Sequence, residues 1–370
     1  MASEPLRVGI IGTGLIGASL GLALNRLDDM GEVAGYDRDP GELAEATRLG
    51  AITRAATSAA DAATGCDVVI LAVPVSAVPA VAADVAPALK PGSILTDVAS
   101  VKARVVEALQ CAAPDDVHVV GGHPMAGSAE GGAAHASADL FVGATYLLTP
   151  TTHTDPEAYR RLHALVARLG SRVLAVHPSR HDVLVAVVSH LPQLAATTLM
   201  NLAAERARNE HAELLLLAAG GFRDATRVAA SNPDLWLDIC AENRDAIVAV
   251  LDDYGERITG LRTVLAGADD DGLRHTLGEA REARRSLPGK ETVTGRLVEL
   301  RLSIPDRPGV FAEVTTTVGL AGVNIEDIGI EHAPEGGRGL LRLAILGPSN
   351  AAKAHTALAA IGYEVLEYEP

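Results

Sequence analysis

The chain is predicted to be an α/β protein of three domains, and three features of its sequence support this. Strand and helix patterns alternate in the N-terminal half, strand patterns stop in the middle, and a βαββαβ pattern follows. At 370 residues the chain is also too long for one typical hydrophobic core. We place the domains at residues 1–177, 178–288 and 296–370.

The first domain contains seven short apolar runs, separated by alanine-rich helical runs. Most of the apolar runs are continuous in Val, Ile and Leu, which is typical of parallel strands that are buried on both faces. We therefore expect a doubly wound parallel sheet covered by helices. The predicted strands span residues 7–11, 33–36, 68–73, 93–96, 118–121, 145–148 and 172–176.

A glycine-rich turn joins the first strand to the first helix and predicts a dinucleotide site of the Rossmann type. Its sequence is Gly12-Thr13-Gly14-Leu15-Ile16-Gly17. The three glycines allow, in order, a tight bend, close approach of a pyrophosphate, and close packing of helix on strand. The N-terminus of the helix offers free N–H groups to the phosphates. A plain glycine turn without a ligand is the alternative interpretation.

The ends of the next two strands extend this cofactor site. Asp37 ends the second strand, where an acidic side chain accepts hydrogen bonds from the adenosine ribose and repels a 2′-phosphate. This favours NAD over NADP. Val73 ends the following strand and either lines the same cleft or is only a strand terminus.

Two side chains near later strand ends are candidate catalytic groups. Ser100 and His123 follow the fourth and fifth predicted strands. In an open α/β sheet the ligand crevice lies beyond the carboxyl ends of the strands, so both should face the nicotinamide. Oxidation of a hydroxyl-bearing carbon needs a base for the hydroxyl proton, and His123 is the candidate. Ser100 would hydrogen-bond the imidazole or the substrate, or be structural only.

The middle domain is predicted to be entirely helical. Asn232 caps a helix that starts at Pro233, and apolar residues then recur at helical spacing as far as Leu265. So long a helix suits a dimer, although the core of a monomeric bundle is the alternative. By itself His190 indicates a structural histidine and Arg227 a surface residue, but an arginine pair one helical turn apart would suit a carboxylate.

The third domain follows a predicted linker at residues 286–290. Its pattern is ferredoxin-like, and the expected elements are a strand at 297–303, a helix from 309, strands at 323–331 and 339–346, a helix from 350 and a strand at 364–368.

Composition limits the partners of the protein. A net charge of −16 argues against nucleic acid and anionic membranes, which need clustered Lys and Arg. The three cysteines are scattered, so we expect a reducing cytoplasm, no disulfide framework and no metal site. We predict no signal peptide, and no run long and uniformly apolar enough to span a membrane.

Seven motifs follow one another along the first two domains, at residues 12–19, 96–102, 122–127, 147–150, 188–192, 220–227 and 232–236. In this order they resemble the prephenate dehydrogenase (TyrA-type) family over about residues 6–265. The resemblance implies NAD-dependent oxidative decarboxylation of prephenate to 4-hydroxyphenylpyruvate in tyrosine biosynthesis. It makes His123 the base toward the ring hydroxyl, with Ser100 in support. It also implies that Arg227 holds a substrate carboxylate and that His190 helps to bind the ligand.

The C-terminal domain resembles the ACT domain, an amino-acid-sensing module. The resemblance lies in Asp306-Arg307-Pro308-Gly309-Val310 and Gly322-Val323-Asn324-Ile325. It implies a regulatory ligand, expected to be L-tyrosine acting as feedback inhibitor. We expect a cytoplasmic homodimer, which paired domains of this kind could join into a larger assembly. The expected ligand contacts are Asp306, Gly309, Asn324 and Ile325.

One departure from the family leaves the substrate open. Ala129 stands where relatives often carry a glutamate, which bears on the choice between prephenate and its amino form, arogenate. An arogenate dehydrogenase is therefore one alternative. A non-catalytic regulator responsive to NAD and amino acids is another, but it would lack the base and the carboxylate clamp, and candidates for both are present in this chain. A β-hydroxyacid dehydrogenase fits less well, because that family uses a lysine in its helical domain and residues 178–285 contain none.

Overall fold

The computed structural model describes residues 5–127, 130–287, 297–305, 307, 310–325, 327–332 and 338–368. The chain divides into two units, Met1–Leu273 and Arg274–Pro370. The first unit contains the first predicted domain and most of the second. The predicted linker lies largely outside the described residues.

A six-stranded parallel sheet organises the first unit, in the order β3-β2-β1-β4-β5-β6. The chain reverses its direction of winding between β1 and β4, and a ligand crevice lies at such a switch point. The doubly wound fold is confirmed, although the two-residue β3 was missed because it has no apolar run. The strands are β1 (Leu6–Ile11), β2 (Met30–Tyr36), β3 (Arg54–Ala55), β4 (Val68–Leu71), β5 (Ile94–Asp97) and β6 (His118–Val119).

Apolar clusters cover both faces of this sheet. Along β4, Val68 and Ile70 enter one cluster, whereas Val69 and Leu71 enter the other. This explains why the strands are apolar without alternation. The helices of this part of the chain are α1 (Leu15–Leu24), α2 (Pro40–Arg48), α3 (Ala59–Ala63), α4 (Val78–Val85), α5 (Ala103–Ala112) and α6 (Pro156–Arg168).

A second, three-stranded sheet contains β7 (Gly121–Pro124), β8 (Thr145–Thr149) and β9 (Arg172–Ala175). The prediction that one strand ends before His123 is wrong, because His123 lies inside β7, opposite Leu147. The chain leaves β6 and begins the new strand at two glycines. A side chain on Gly122 would lie 2.6 Å from the Asp97 carbonyl oxygen, so only glycine lets β7 pass this close to the end of β5.

Further helices follow β9 along the chain. They are α7 (Pro178–Val185), α8 (Leu191–Asn209), α9 (Gly220–Thr226), α10 (Pro233–Glu242), α11 (Arg244–Ala266) and α12 (Asp270–Arg285). A π-helical turn, Ala186–His190, joins α7 to α8. The predicted cap is confirmed, since the Asn232 side chain accepts a hydrogen bond from the Asp234 N–H. The prediction of a single long helix is wrong, because one helix ends before the buried Asn243 and a second helix begins after it.

The continuous helix Pro178–Asn209 is long and apolar enough to cross a membrane, contrary to our expectation that no segment would be. The sequence pattern was misleading because Ser189, His190 and Gln193 interrupt its apolar run. One such helix is weak evidence for a span. Here the same helix carries the buried polar side chains of His181, Asp182 and His190.

The second unit contains a four-stranded antiparallel sheet and two helices, which confirms the βαββαβ pattern. The strand order is β11-β12-β10-β13. Alternate strand residues, such as Leu300 and Leu302, share one core with α13 and α14. Of the expected ligand contacts, Asn324 is exposed and Ile325 half-buried, and Asp306 and Gly309 lie outside the described residues. The elements are β10 (Leu297–Pro305), α13 (Val310–Leu320), β11 (Asp327–His332), β12 (Arg338–Leu346), α14 (Pro348–Ala360) and β13 (Val365–Tyr368).

Candidate active site

The glycine turn after β1 has the geometry that a dinucleotide pyrophosphate needs. Gly12 has φ +95°, and a Cβ there would lie 2.3 Å from the Ala72 carbonyl oxygen. A Cβ on Gly17 would lie 1.9 Å from the Gly12 carbonyl oxygen. A Cβ on Gly14, in contrast, would meet nothing within 4 Å. Gly12 and Gly17 are therefore glycine for packing, whereas Gly14 leaves open space at the N-terminus of α1.

The Asp37 carboxylate is fixed beside this turn. Its Oδ2 accepts a hydrogen bond from the Thr13 N–H at 2.7 Å, and its Oδ1 accepts one from the Asp39 N–H at 2.9 Å. Val73 is half-buried next to Gly12. The residues present thus fit NAD, with Asp37 at the ribose and the open face of Gly14 at the pyrophosphate.

A chain of three side chains reaches from α7 to β7. The Nδ1 atom of His123 lies 2.8 Å from Nε2 of His181, and Nδ1 of His181 lies 2.8 Å from Oδ1 of Asp182. Because the carboxylate only accepts, the His181 proton is on Nδ1 and its Nε2 accepts from His123. The lone pair of His123 is then on Nε2, so that the outer end of this relay is a base.

His181 and Asp182 were missed in the sequence. The available signal was an adjacent His-Asp pair, directly after Ser179-Arg180, in the helix that begins at Pro178. Asp182 has a second task, since its two carboxylate oxygens accept from the Lys102 N–H at 2.7 Å and the Ala103 N–H at 2.8 Å. It therefore caps α5 and fixes the relay to the Rossmann-type sheet at the same time.

Asp97, at the end of β5, connects the other side of the site. Its Oδ1 accepts from the Gly122 N–H at 3.2 Å and its Oδ2 from the Ala99 N–H at 2.9 Å. Lys102 forms a fully buried ion pair with the same carboxylate. Ser100 is half-buried in the loop between Asp97 and Lys102, and its hydroxyl makes no hydrogen bond to another residue that the structure describes. Its hydroxyl is thus available to a ligand.

His190 belongs to the same buried polar cluster. The Asn243 side-chain amide donates to the Asp182 carbonyl at 2.9 Å and lies 3.2 Å from Nδ1 of His190. The imidazole contacts Trp236 edge-on, with ring centroids 5.8 Å apart. Asn243 interrupts the helical region because its side chain turns inward to make these contacts.

Burial sets the protonation of these groups. It places the pKa of His123 well below its ordinary value, and electrostatic repulsion of a protonated His123 by His181, Lys102 and His190 acts in the same direction. Burial likewise lowers the pKa of His190 to about 4. Burial raises the pKa of Asp182, but hydrogen bonds from His181 and the backbone outweigh this and hold it below its usual range. At neutral pH His123 and His190 are therefore neutral and Asp182 is ionised.

Arg227 is not joined to this cluster. It is exposed just after α9, and no ion pair connects it to a residue that the structure describes. One turn before it, the Arg223 guanidinium donates to the Ala218 carbonyl at 3.1 Å. The structure thus brings His123, His190 and the Ser100 loop together, and leaves the predicted carboxylate site of Arg227 as a prediction.

Models of protein families match almost the whole chain. The nucleotide-binding domain of prephenate dehydrogenase matches residues 20–175, and its dimerization domain matches residues 177–279. The chain belongs to the prephenate dehydrogenase family. The ACT domain model matches residues 298–362, so that the C-terminal resemblance is confirmed as well.

The sequences of curated relatives align with this chain over most of their length. Prephenate dehydrogenase of Bacillus subtilis (strain 168) is 32% identical over 337 residues, which cover 90% of this chain and 91% of that protein. Cyclohexadienyl dehydrogenase of Zymomonas mobilis is 36% identical over 280 residues, which cover 76% of this chain and 95% of that protein.

Solved structures of similar fold also superpose on most of this chain. The A. aeolicus prephenate dehydrogenase, in complex with hydroxyphenyl propionate and NAD+, has a TM-score of 0.72 at 28% identity, over 78% of this chain and all (100%) of that one. Synechocystis arogenate dehydrogenase has a TM-score of 0.67 at 30% identity, over 76% of this chain and 100% of that one.

Proposed function

We propose that the protein catalyses NAD+-dependent oxidative decarboxylation of prephenate to 4-hydroxyphenylpyruvate in tyrosine biosynthesis. The observation that carries this is the buried Asp182–His181–His123 relay, which ends in a basic nitrogen of His123, next to the contact between Gly122 and Asp97 at the end of β5. Membership of the family supports the choice of substrate.

His123 takes the first step, at the ring hydroxyl of the substrate. Its Nε2 accepts the hydroxyl proton as the C4–H bond breaks. The relay then carries an added positive charge, which is balanced by the Asp182 carboxylate at its other end. NAD+, when bound, accepts the hydride from C4.

Decarboxylation then needs little from the protein. The C1–carboxylate bond breaks, its electron pair enters the ring, and aromatisation drives the loss of carbon dioxide. The resulting phenolate takes a proton, so the overall reaction releases none. The inner end of the relay is buried, with His181 0% and Asp182 7% exposed. This suits a proton that stays on His123 and returns to the same oxygen.

The remaining site residues have binding roles in this proposal. The Ser100 hydroxyl supports the hydrogen bond between His123 and the substrate, and His190 shapes the pocket from the π turn. Arg227 holds a carboxylate through two parallel hydrogen bonds. Gly12, Gly14, Leu15, Ile16, Gly17, Asp37 and Val73 hold the dinucleotide.

The assembly is proposed to be a soluble, cytoplasmic homodimer. The helical region leaves large apolar side chains exposed, and a second copy would cover them; the matching family model is that of a dimerization domain. These side chains include Val183, Val187, Val188, Leu199, Leu202 and Leu237. The same contact would remove the apolar face of Pro178–Asn209 from water without a membrane.

The second unit is proposed to bind L-tyrosine as feedback inhibitor. The ACT match supports an amino-acid ligand. Titration of the activity with Tyr, Phe and Trp tests this. Inhibition by tyrosine at lower concentration than by the other two is expected, and no response to any of them would contradict a regulatory role.

The test of the activity is formation of NADH from prephenate and NAD+, followed at 340 nm, with identification of 4-hydroxyphenylpyruvate. Arogenate is assayed in parallel, and preference for it would correct the substrate. A chain that binds NAD+ and tyrosine but turns over neither compound would instead be a regulator. Ala129, the residue expected to bear on this choice, lies outside the described residues.

A further inference from the structure

Asn243, at the junction of α10 and α11, has no role in the function proposed above. Its backbone N–H donates to the Ile239 carbonyl and completes α10, and its carbonyl accepts from the Ile247 N–H and begins α11. The backbone of Asn243 thus serves both helix ends and leaves the side chain for other contacts. Because the residue is only 5% exposed, its polar side-chain atoms need partners inside the protein.

The amide nitrogen of Asn243 contacts two groups of the buried polar cluster. It lies 2.9 Å from the backbone carbonyl oxygen of Asp182 and 3.2 Å from Nδ1 of His190. A carbonyl oxygen only accepts hydrogen bonds, so the atom that faces it must be the donor end of the amide. The amide nitrogen carries two hydrogens, and the second is therefore available to His190.

The orientation of this amide decides which nitrogen of His190 carries the proton. An N–H that points at Nδ1 needs a lone pair there, so the proton of the neutral ring is on Nε2. A doubly protonated ring is disfavoured as well, because its Nδ1–H would face the N–H of Asn243. Burial of His190 acts in the same direction and lowers its pKa to about 4.

The surroundings of His190 fix the ring and leave Nε2 unused. His190 ends the π-helical turn Ala186–His190, and widened turns of this kind are frequent at functional sites. Trp236 of α10 contacts the imidazole edge-on, with ring centroids 5.8 Å apart. The Nε2 atom makes no hydrogen bond to another residue that the structure describes. Its N–H is therefore available to a ligand.

We propose that Asn243 is a positioning residue that fixes His190 as a hydrogen-bond donor, through its Nε2–H, toward an oxygen atom of the substrate. The site then holds two imidazoles of opposite function, because His123 accepts a hydroxyl proton and His190 donates to a carboxylate, keto or hydroxyl oxygen. Both are anchored at Asp182, whose carboxylate contacts His181 and whose backbone carbonyl accepts from Asn243. The contact with substrate rests on the proposed function, whereas the tautomer of His190 does not.

The first test observes this tautomer in the full chain labelled with 15N-histidine. Long-range 1H–15N correlation spectra distinguish the protonated nitrogen of an imidazole from the nitrogen with the lone pair, and His190→Gln assigns the signals. In the wild type at neutral pH the proton should be on Nε2. In Asn243→Asp the new carboxylate only accepts, so a proton should appear on Nδ1. Asn209→Asp, at the exposed end of α8, is the matched control and should keep the wild-type tautomer.

Two spectroscopic outcomes would overturn the proposal. One is a wild-type His190 with its proton on Nδ1, and the other is a folded Asn243→Asp in which His190 stays protonated on Nε2 alone. The first outcome needs no substitution at Asn243, so the proposal can still be rejected if Asn243→Asp does not fold.

The second test measures the use of this donor. At a pH where the spectra show a neutral His190 in Asn243→Asp, KM for prephenate should rise about tenfold, with kcat and KM for NAD+ changed less. An inverted tautomer with unchanged KM would reject the contact between His190 and the substrate. If the wild type fails to turn over prephenate, the proposed function fails, but the spectra still decide whether Asn243 fixes His190.

Discussion

At the scale of single residues, the site depends on one imidazole whose environment is built by others. The resemblance implies that His123 is the base, and its hydrogen-bond partner His181 is 58 residues away. Such contacts are not visible in sequence spacing, because they depend on how α7 packs against β7. The role of each residue is now open to measurement.

His123→Asn should lower kcat by roughly two or more powers of ten, because the hydroxyl proton loses its acceptor. Binding of NAD+ should be unchanged, as measured by fluorescence titration. His153→Asn, in an exposed loop, is the matched control and should keep full activity. Near-normal turnover of His123→Asn would show that the base lies elsewhere.

His181→Asn tests the relay. It removes the acceptor of the His123 Nδ1 proton and the connection to Asp182, so kcat should fall at least about tenfold. In the wild type, the lowered pKa of His123 means that the base stays unprotonated until the pH is well below 6.5. The kcat/KM profile should therefore be flat from neutral pH down to that range. An acid limb near 6.5 would contradict the assigned burial of the base.

Arg227→Ala should act on binding. Loss of a carboxylate contact is expected to raise KM for prephenate by roughly tenfold or more, with kcat changed less. Arg227→Lys keeps the charge without the paired hydrogen bonds, so its KM for prephenate should lie between those of the wild type and Arg227→Ala. If KM stays unchanged in both variants, the exposed Arg227 has no role at the substrate.

At the scale of elements, the glycine turn shows which features were predictable. The motif predicted the strand, turn and helix correctly, since glycine requirements are local. The break at Asn243 was not predictable from helical periodicity, because apolar residues continue on both sides of it. Only the polar contacts of Asn243 with Asp182 and His190 explain why one helix becomes two.

The glycines of the turn should respond differently to alanine. Gly17→Ala places a Cβ 1.9 Å from the Gly12 carbonyl oxygen and should lower the melting temperature of the free protein. Gly14→Ala meets no protein atom within 4 Å and should leave that temperature nearly unchanged, while weakening NAD+ binding. Thermal unfolding and NAD+ titration check both. Tight NAD+ binding by folded Gly14→Ala would show that the pyrophosphate does not bind at this position.

At the scale of the whole molecule, the exposed apolar helices predict self-association. The wild type should sediment as a dimer at micromolar concentration. Leu202→Glu, at a position 53% exposed in the single chain, should shift it toward monomer. Val142→Glu, at a position 62% exposed but outside the helical region, is the control and should remain dimeric. A wild-type monomer would leave the apolar face of Pro178–Asn209 unexplained.

The sequence alone determined the architecture and the reaction class of this protein. The patterns that carried this are local, and local patterns can be recognised without knowledge of the packing. They are the continuous apolar strands, the glycine turn with Asp37, the ordered motifs and the βαββαβ order. The tertiary structure decided how the base works. Only folding brings His181 and Asp182 of α7, and Asp97 at the end of β5 with its partner Lys102, to His123 in β7, because these three segments are far apart in the sequence. Burial then adds what no pattern contains, the protonation state of the imidazole at neutral pH.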